Sequence, residues 1–442
     1  MTDDPHPDFK NKKHSFFIRY THNIKFVDLD VLHFNIITRS DMFKLDFTSQ
    51  GLHLASGILH MKGWELLKLS ESAEDYIAEA EYPLNGHEAC THCGVIGQYV
   101  RFGIRVQQYH DLPAQDKRVF INVNRPRLKC KACGKVFQQQ LPYMDTEHFM
   151  TERLVAYIQQ KSMSQTFISI AKQIGLDEKS IRLIFLAEAG KLEAQRVIET
   201  PEWLGIDEVF LTGKARGIFT DIKGRKPVEL LPERKKTAVI EFLRQLDADK
   251  VRLVTIDMWN PYREAVQLVL PHATIIIDKF HIVRMANAAL DMVRRNTRKQ
   301  LSAARRRQLK HDRFIMLRRR NELTEQPRFI LATWIQNYEK LGRAYVGKEM
   351  FCDIWEAHSK DEAERFYQEW LIYIENNDIA HAFTELVRAM TNWHEEIFAY
   401  FDYPLTNAYT EALNGILKLI QRNGRGYSFK AILAKLLYGS TL

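Results

Sequence analysis

The chain has 442 residues, room for about three domains at ~100–200 residues each. Hydrophobic residues make up 45% and charged residues 27%, which excludes a disordered chain, a collagen-like repeat and a disulfide mini-scaffold. A count of 63 Lys+Arg against 55 Asp+Glu leaves a formal charge of +8, a mild tilt toward a polyanionic partner. The start, MTDDPHPDFKNKKHSFF, lacks the apolar stretch of a signal peptide, and no apolar run approaches the ~20 residues of a membrane span. Five cysteines, four of them in two C-x-x-C pairs, do not make a secreted disulfide framework. The expectation is a soluble cytoplasmic protein with no membrane partner.

Residues 1–62 carry alternating apolar stretches at 15–20, 24–27 and 34–38 and no motif, so they read as an N-terminal extension without an assigned role. A strand-rich unit over 63–145 follows, with strand-like runs at 78–82 and 120–123 and both cysteine pairs. From about Thr151 the apolar period becomes helical, giving a helical unit over 150–200. Gly205 opens a different regime. Strands are expected at 206–211, 215–221 and 227–231, a helix at 236–246, a buried strand at 251–256, a helix at 262–270 and a strand at 273–277. Three strands in a row, then alternating helices and strands, predict a mixed sheet flanked by helices. From His281 to about Phe401 nearly everything reads as helix with dense basic residues, and a last amphipathic helix runs from about Thr410 to Arg422.

Cys90-Thr91-His92-Cys93 and Cys130-Lys131-Ala132-Cys133 are each followed by glycine, Gly94 and Gly134. The two-residue gap lets both thiolates of a turn face one ion, and glycine lets the backbone bend round it. Four thiolates leave no open position, so a structural Zn²⁺ on Cys90, Cys93, Cys130 and Cys133 is predicted, at the end of an elongated hairpin. The alternative is two unrelated pairs of buried or redox cysteines. His87 and His92 could substitute as ligands but read as surface residues, and Cys352 reads as a packing residue.

The segment from Thr166 to Arg182 fits two short helices joined at Gly175, with Ala171 at their crossing and Ile170, Ile174, Leu176 and Ile181 in a small core. A second helix starting near Asp177 presents Lys179, Ser180 and Arg182 outward, as a DNA-recognition helix does. An ordinary helical hairpin is the competing interpretation.

Three acids stand out: Asp207 inside the first strand of the α/β region, Asp257 at the carboxyl end of a buried strand, and Glu411 in the first turn of the last helix. Singly, each has an ordinary structural explanation: a solvated edge strand, a helix cap, and a carboxylate at the positive end of a helix. Together they make a different prediction, because acids on neighbouring strands ~4.8 Å apart can share a metal. Two divalent ions about 3.5–4 Å apart clamp the attacking and leaving oxygens of a phosphodiester, and oxygen ligands suit Mg²⁺ or Mn²⁺. On the last helix Leu413, Ile416, Leu417 and Ile420 form a buried stripe, while Glu411, Gly415, Lys418 and Arg422 share a second face suited to a phosphate backbone or simply to solvent.

The motifs CTHCG, LKCKACGKVF, LGIDEVFL, TIDMWNPYREAV, IIIDKFHIVRMANAALDMVRR and TNAYTEALNGILKLIQRNGRGYSF, in this order from about residue 64 to the end, resemble the IS204/IS1001/IS1096/IS1165 type of transposase, the ISL3 family of bacterial DDE transposases. The resemblance implies an α+β multidomain protein: a zinc ribbon, a helix-turn-helix, and an RNase H-like catalytic core over 203–283 and 403–442, interrupted by an all-α insertion over 284–402. It implies Asp207, Asp257 and Glu411 as the catalytic Asp, Asp, Glu set holding Mg²⁺ or Mn²⁺. His281, in a D-x-x-H element with Asp278, is a further catalytic candidate or else a helix-start residue bonded to Asp278. Residues 294, 295, 298, 299, 305–307 and 318–320, among them Arg305, Arg306 and Arg307, are expected phosphate contacts in the insertion.

The implied activity is metal-dependent cleavage at insertion-sequence ends and strand transfer into target DNA, in a bacterial, nucleoid-associated protein working as a dimer or larger assembly. The alternative is a catalytically inactive DNA-binding regulator derived from a transposase. Residues 1–60 have no counterpart in the resemblance, and Met61 directly precedes it; a genuine extension and a frame opened too early both fit.

Overall fold

A computed structural model describes residues 61–439; the runs at 15–20, 24–27 and 34–38 lie outside the described residues. The first unit is a sheet of β1 (Glu65–Glu71), β2 (Asp75–Glu81), β3 (Tyr99–Ala114), β4 (Lys117–Cys130), β5 (Val136–Gln138), β6 (Met144–Asp145) and β7 (Met150–Thr151), ordered β1-β2-β4-β3-β7-β6 with β5 beside β4. β3 and β4 make the long hairpin that the spacing of the cysteine pairs demanded. Its two turn residues, Gln115 and Asp116, have φ of 51° and 61°, the left-handed pair that matches the right-handed twist of the flanking strands. One end of the hairpin is anchored by buried Tyr109, Ile121 and Val123 against Trp64 and Ala80. The other end carries a separate small cluster of Cys90, Leu128, Cys130 and Phe137.

Three helices follow: α1 (Glu152–Ser164), α2 (Phe167–Ile174) and α3 (Glu178–Gln195). Each starts where a side-chain oxygen takes an otherwise unpaired amide, from Thr151, Thr166 and Asp177. α2 stops at Gly175, whose φ of 71° and closeness to the Arg118 side chain admit no Cβ. Phe167, Ile170, Ala171 and Ile174 meet Ile181, Ile184 and Phe185, and this core runs on without a break into Val209, Leu211, Ile218, Leu413, Leu417 and Ile432.

The second sheet holds β8 (Trp203–Leu211), β9 (Lys214–Asp221), β10 (Lys226–Leu230), β11 (Leu253–Ile256) and β12 (Thr274–Ile277), in the order β10-β9-β8-β11-β12. β8, β9 and β10 are antiparallel neighbours; β8, β11 and β12 are parallel. The parallel strands LVTI and TIII are apolar almost throughout because α4 (Lys236–Leu243) and α5 (Asn260–Val269) belong to the crossovers that cover the sheet.

From β12 the chain enters α6 (Lys279–Lys299), α7 (Ala303–His311), α8 (Arg313–Leu317), α9 (Glu325–Asn337), α10 (Glu339–Asp353), α11 (Lys360–Asn376), α12 (Ala380–Asn392) and α13 (His394–Asp402). Phe351, Trp370, Phe383 and Phe398 fill the centre of this bundle. The chain rejoins the sheet where Ala399 and Leu405 pack on Leu253 and Ile276, then forms α14 (Ala408–Gly424) and α15 (Phe429–Tyr438). α15 was not among the expected elements. No helix among the described residues is long and apolar enough to cross a membrane.

Candidate active site and metal centres

β8 and β11 run in parallel with Thr255 beside Gly205. Two residues on, Asp257 and Asp207 therefore fall side by side on the same face, at the carboxyl end of β11. Asp207 is 5% exposed. Its Oδ1 accepts from the Glu208 amide at 2.6 Å and its Oδ2 from Asn414 Nδ2 at 2.7 Å. Burial first, then the adjacent Asp257 charge, pushes its carboxyl up to about 8. Asp257 Oδ2 lies 3.2 Å from His281 Nε2, and Asp257 Oδ1 is buried with no hydrogen-bond partner. The bond to Asp257 raises the affinity of His281 for its proton, while the other ring nitrogen, Nδ1, is buried and unpaired.

Glu411 enters from α14. Asp278, His281 and Glu411 each offer a ligand atom, all within 4.8 Å of one another. His281 thus touches Asp257 on one side and groups with Asp278 and Glu411 on the other; among the described residues Asp207, Asp257 and Glu411 do not themselves form a set with ligand atoms all within 4.8 Å. Asp278 is itself fully buried, its Oδ1 capping α6 through the Phe280 amide at 3.1 Å and its Oδ2 accepting from the Asn407 amide at 3.3 Å. His281 sits in the first turn of α6, where its backbone N–H donates to the Asp278 carbonyl at 3.0 Å, while its imidazole Nε2 faces Asp257.

α14 is held on the sheet by buried polar contacts. Asn407 Oδ1 accepts from Thr255 Oγ1 at 3.2 Å, and Thr220 and Thr410 hydroxyls meet at 2.7 Å. Gly205 makes this approach feasible, since a Cβ there falls 2.4 Å from Thr220 Oγ1 and 2.7 Å from Thr410 Oγ1. Asn407 and Asn414 were not singled out from the sequence. Their spacing around Glu411, four residues before and three after, puts all three on neighbouring positions of one helical face and was the available signal.

The second centre is built from the two cysteine knuckles. Cys90 Sγ and Cys133 Sγ are 3.7 Å apart, as are Cys93 and Cys130, and the four sulfurs lie within 4.8 Å of one another. Tetrahedral zinc with bonds of ~2.3 Å needs sulfur separations of about 3.8 Å, so the cluster fits structural zinc. The two knuckles are alike: the Gly94 amide donates to Cys90 O at 2.9 Å and the Gly134 amide to Cys130 O at 3.0 Å. Against burial, the backbone amides of His92 and Cys93 hold the Cys90 thiol down to about 6, while over the opposing Val95 amide, burial and the neighbouring sulfurs push the Cys93 thiol up to about 12.

The residues expected to meet DNA are distributed as follows. Lys179 is exposed, whereas Ser180 Oγ donates to Asp177 Oδ2 at 2.6 Å as part of the α3 cap, and Arg182 is paired with Glu178. Glu411, Gly415, Lys418 and Arg422 are all exposed on one face of α14, while Leu413 and Leu417 are buried and Ile416 and Ile420 partly so. Arg305 donates to Tyr338 Oη at 2.9 Å, Arg306 to the carbonyls of Leu301 and Lys299, and Arg307 is exposed. Two expectations in the insertion need correction. Arg294 is 4% exposed and bonded to Asp291 and the Leu309 carbonyl, and Arg319 is surrounded by Glu349, Asp353 and Glu356. Both hold helices together and are not open to phosphate.

Residues 204–436, more than half of the chain, match the family model of ISL3 DDE transposases, described as "Transposase". The chain belongs to that family, a class of enzyme that acts on DNA. Residues 87–133 match the zinc-finger of transposase IS204/IS1001/IS1096/IS1165. A relative is the "Transposase for insertion sequence element IS1001" of Bordetella parapertussis, 27% identical over 351 residues that cover 76% of this chain and 85% of the relative.

Proposed function

We propose that the protein cuts DNA at the ends of its insertion sequence and joins the freed 3′-OH to target DNA, with Asp207, Asp257 and Glu411 as the ligands of Mg²⁺ or Mn²⁺. The observation that carries this reading is the side-by-side placement of Asp207 and Asp257 on neighbouring parallel strands, beside a buried Asp257 oxygen that no hydrogen bond satisfies. Such a group calls for a cation. A bound divalent pair supplies Lewis-acid stabilisation of the attacking and leaving oxygens of the phosphodiester. The chain's own residues do the rest: Asn414 and the Glu208 amide fix the Asp207 carboxylate, and His281 orients Asp257 through Oδ2.

The sheet order, three antiparallel strands followed by two parallel ones, supports an RNase H-like core formed by 203–283 and 403–442, with 284–402 as the all-α insertion. The ribbon over 63–145, carrying structural Zn²⁺, and the helix-turn-helix over 150–200 recognise the terminal inverted repeats. Lys179, Lys418, Arg422 and Arg307 supply phosphate contacts. Joining two ends requires at least two chains on the DNA. Replacing Asp257 by Asn is expected to abolish Mg²⁺-dependent nicking of a duplex carrying the inverted repeat while leaving its binding intact; nicking that survives would defeat the assignment.

A further inference from the structure

The carboxyl end of α14 does not stand free. Gly424 leaves room for the chain to fold back, a Cβ there lying 2.3 Å from the Tyr427 ring. The Tyr427 ring packs on Phe167 at 4.6 Å between centroids, and the Tyr427 hydroxyl accepts from the Phe167 amide at 3.1 Å. This contact fixes the first turn of α2 to the end of the helix that bears Glu411. Between them lies a groove of about 590 Å³ whose lining includes Lys172, Arg422, Arg425 and Glu178. Glu178 is paired with Arg182, whereas Lys172, Arg422 and Arg425 have no ion pair among the described residues and are exposed. Three uncompensated cations around one rigid cleft make an anion site, and a rigid one retains its geometry on binding.

We infer that this groove grips the DNA backbone at a fixed distance from the scissile phosphate, so that the junction between the helix-turn-helix and the core sets where the cut falls relative to the recognised repeat. The inference rests on the transposase reading above and adds Lys172 and Arg425 to it. From Glu411 to Arg422 α14 advances by about 16 Å at ~1.5 Å per residue. At ~3.4 Å per step of one strand, that distance corresponds to a backbone position about five nucleotides from the cut. Gly415 and Lys418 lie along the same exposed face between the two points. Because α1, α2, α3, α14 and the sheet share one apolar core, the spacing belongs to a single packed body and not to a linker.

The test uses the full-length zinc-loaded protein and a duplex carrying the inverted repeat that flanks the gene, with neutral methylphosphonates placed one position at a time. The comparison variant combines Lys172→Gln, Arg422→Gln and Arg425→Asn, all at exposed positions, and its melting temperature is expected to match the wild type. The proposal expects the variant to bind at least about tenfold more weakly at ~0.15 M salt, with the log–log salt slope reduced by about 2 to 3. Methylphosphonates about four to six nucleotides from the cut are expected to weaken the wild type several-fold and the variant no further. A variant with the wild-type slope, or interference confined to other positions, while the wild type still nicks the duplex with Mg²⁺, overturns the groove alone. A wild type that neither binds nor nicks the duplex overturns the groove together with the function on which it rests.

Discussion

Asn414 donates to Asp207 from the helix that also carries Glu411, and its own Oδ1 is buried without a partner. One side chain therefore ties the inner acid of the sheet to the helix of the outer acid. Partners of this kind orient a ligand without touching the ion, and their loss typically costs about 10–100-fold in metal affinity. Asn414→Ala is accordingly expected to weaken Mn²⁺ binding by about 10–100-fold, measured by titration calorimetry, with unaltered binding of the repeat duplex. Affinity equal to the wild type would show that Asp207 needs no such support. The sequence made the acids legible because each sits at a telling place: mid-strand, strand end, helix start. It left Asn414 unremarked because an amide on a helix carries no chemistry of its own until its neighbour across the sheet is known.

Among the elements, α15 shows how far periodicity reaches. FKAILAKLLY has a buried lysine inside its apolar run, which blurs the pattern. Lys435 is 5% exposed; its ammonium donates to the carbonyls of Ser162 and Gln165 and lies 5.0–5.3 Å from the Phe167, Phe185 and Tyr427 rings. Burial lowers it from 10.5 to about 8, so between these values the unfolded chain binds more protons than the folded one. Stability must then rise with pH across that window, and the burden of the charge is greatest below pH 8. Relative to Lys435→Met, the wild type is expected to gain on the order of 2 kcal/mol between pH 7 and pH 10, read from urea midpoints. A constant difference would mean that the carbonyls and rings already offset the desolvation.

The cysteine knuckles are the opposite case: nearly everything about them was legible, because two glycine-trailed pairs admit few geometries. Their cluster is small and separate from the larger cores. The full-length protein is expected to hold about one zinc per chain by mass spectrometry. Chelation is expected to abolish binding of the repeat duplex while the helical circular dichroism remains. Unchanged binding after complete loss of zinc would remove the ribbon from DNA recognition.

At the scale of the molecule, the order of strands and helices through 206–277 was readable from alternation and apolar runs. What was not readable is how the pieces join. The core that unites α1–α3 with β8, β9 and α14 is assembled from residues more than two hundred positions apart, and no local pattern encodes such a contact. The basic insertion departs from its expected role at Arg294 and Arg319 for a related reason. A charge run looks the same in sequence whether it faces solvent or, as with Arg294 beside Asp291, closes a helix junction. The convergence of Asp207, Asp257 and Glu411 on a shared cation is the claim on which the proposed chemistry stands. Crystals grown with Mn²⁺ and measured at its absorption edge test it most directly. The account predicts anomalous density between the Asp207 and Asp257 carboxylates and within reach of Glu411, lost in Asp257→Asn. Manganese absent from that position in well-occupied crystals, with the carboxylates left unliganded, would contradict it.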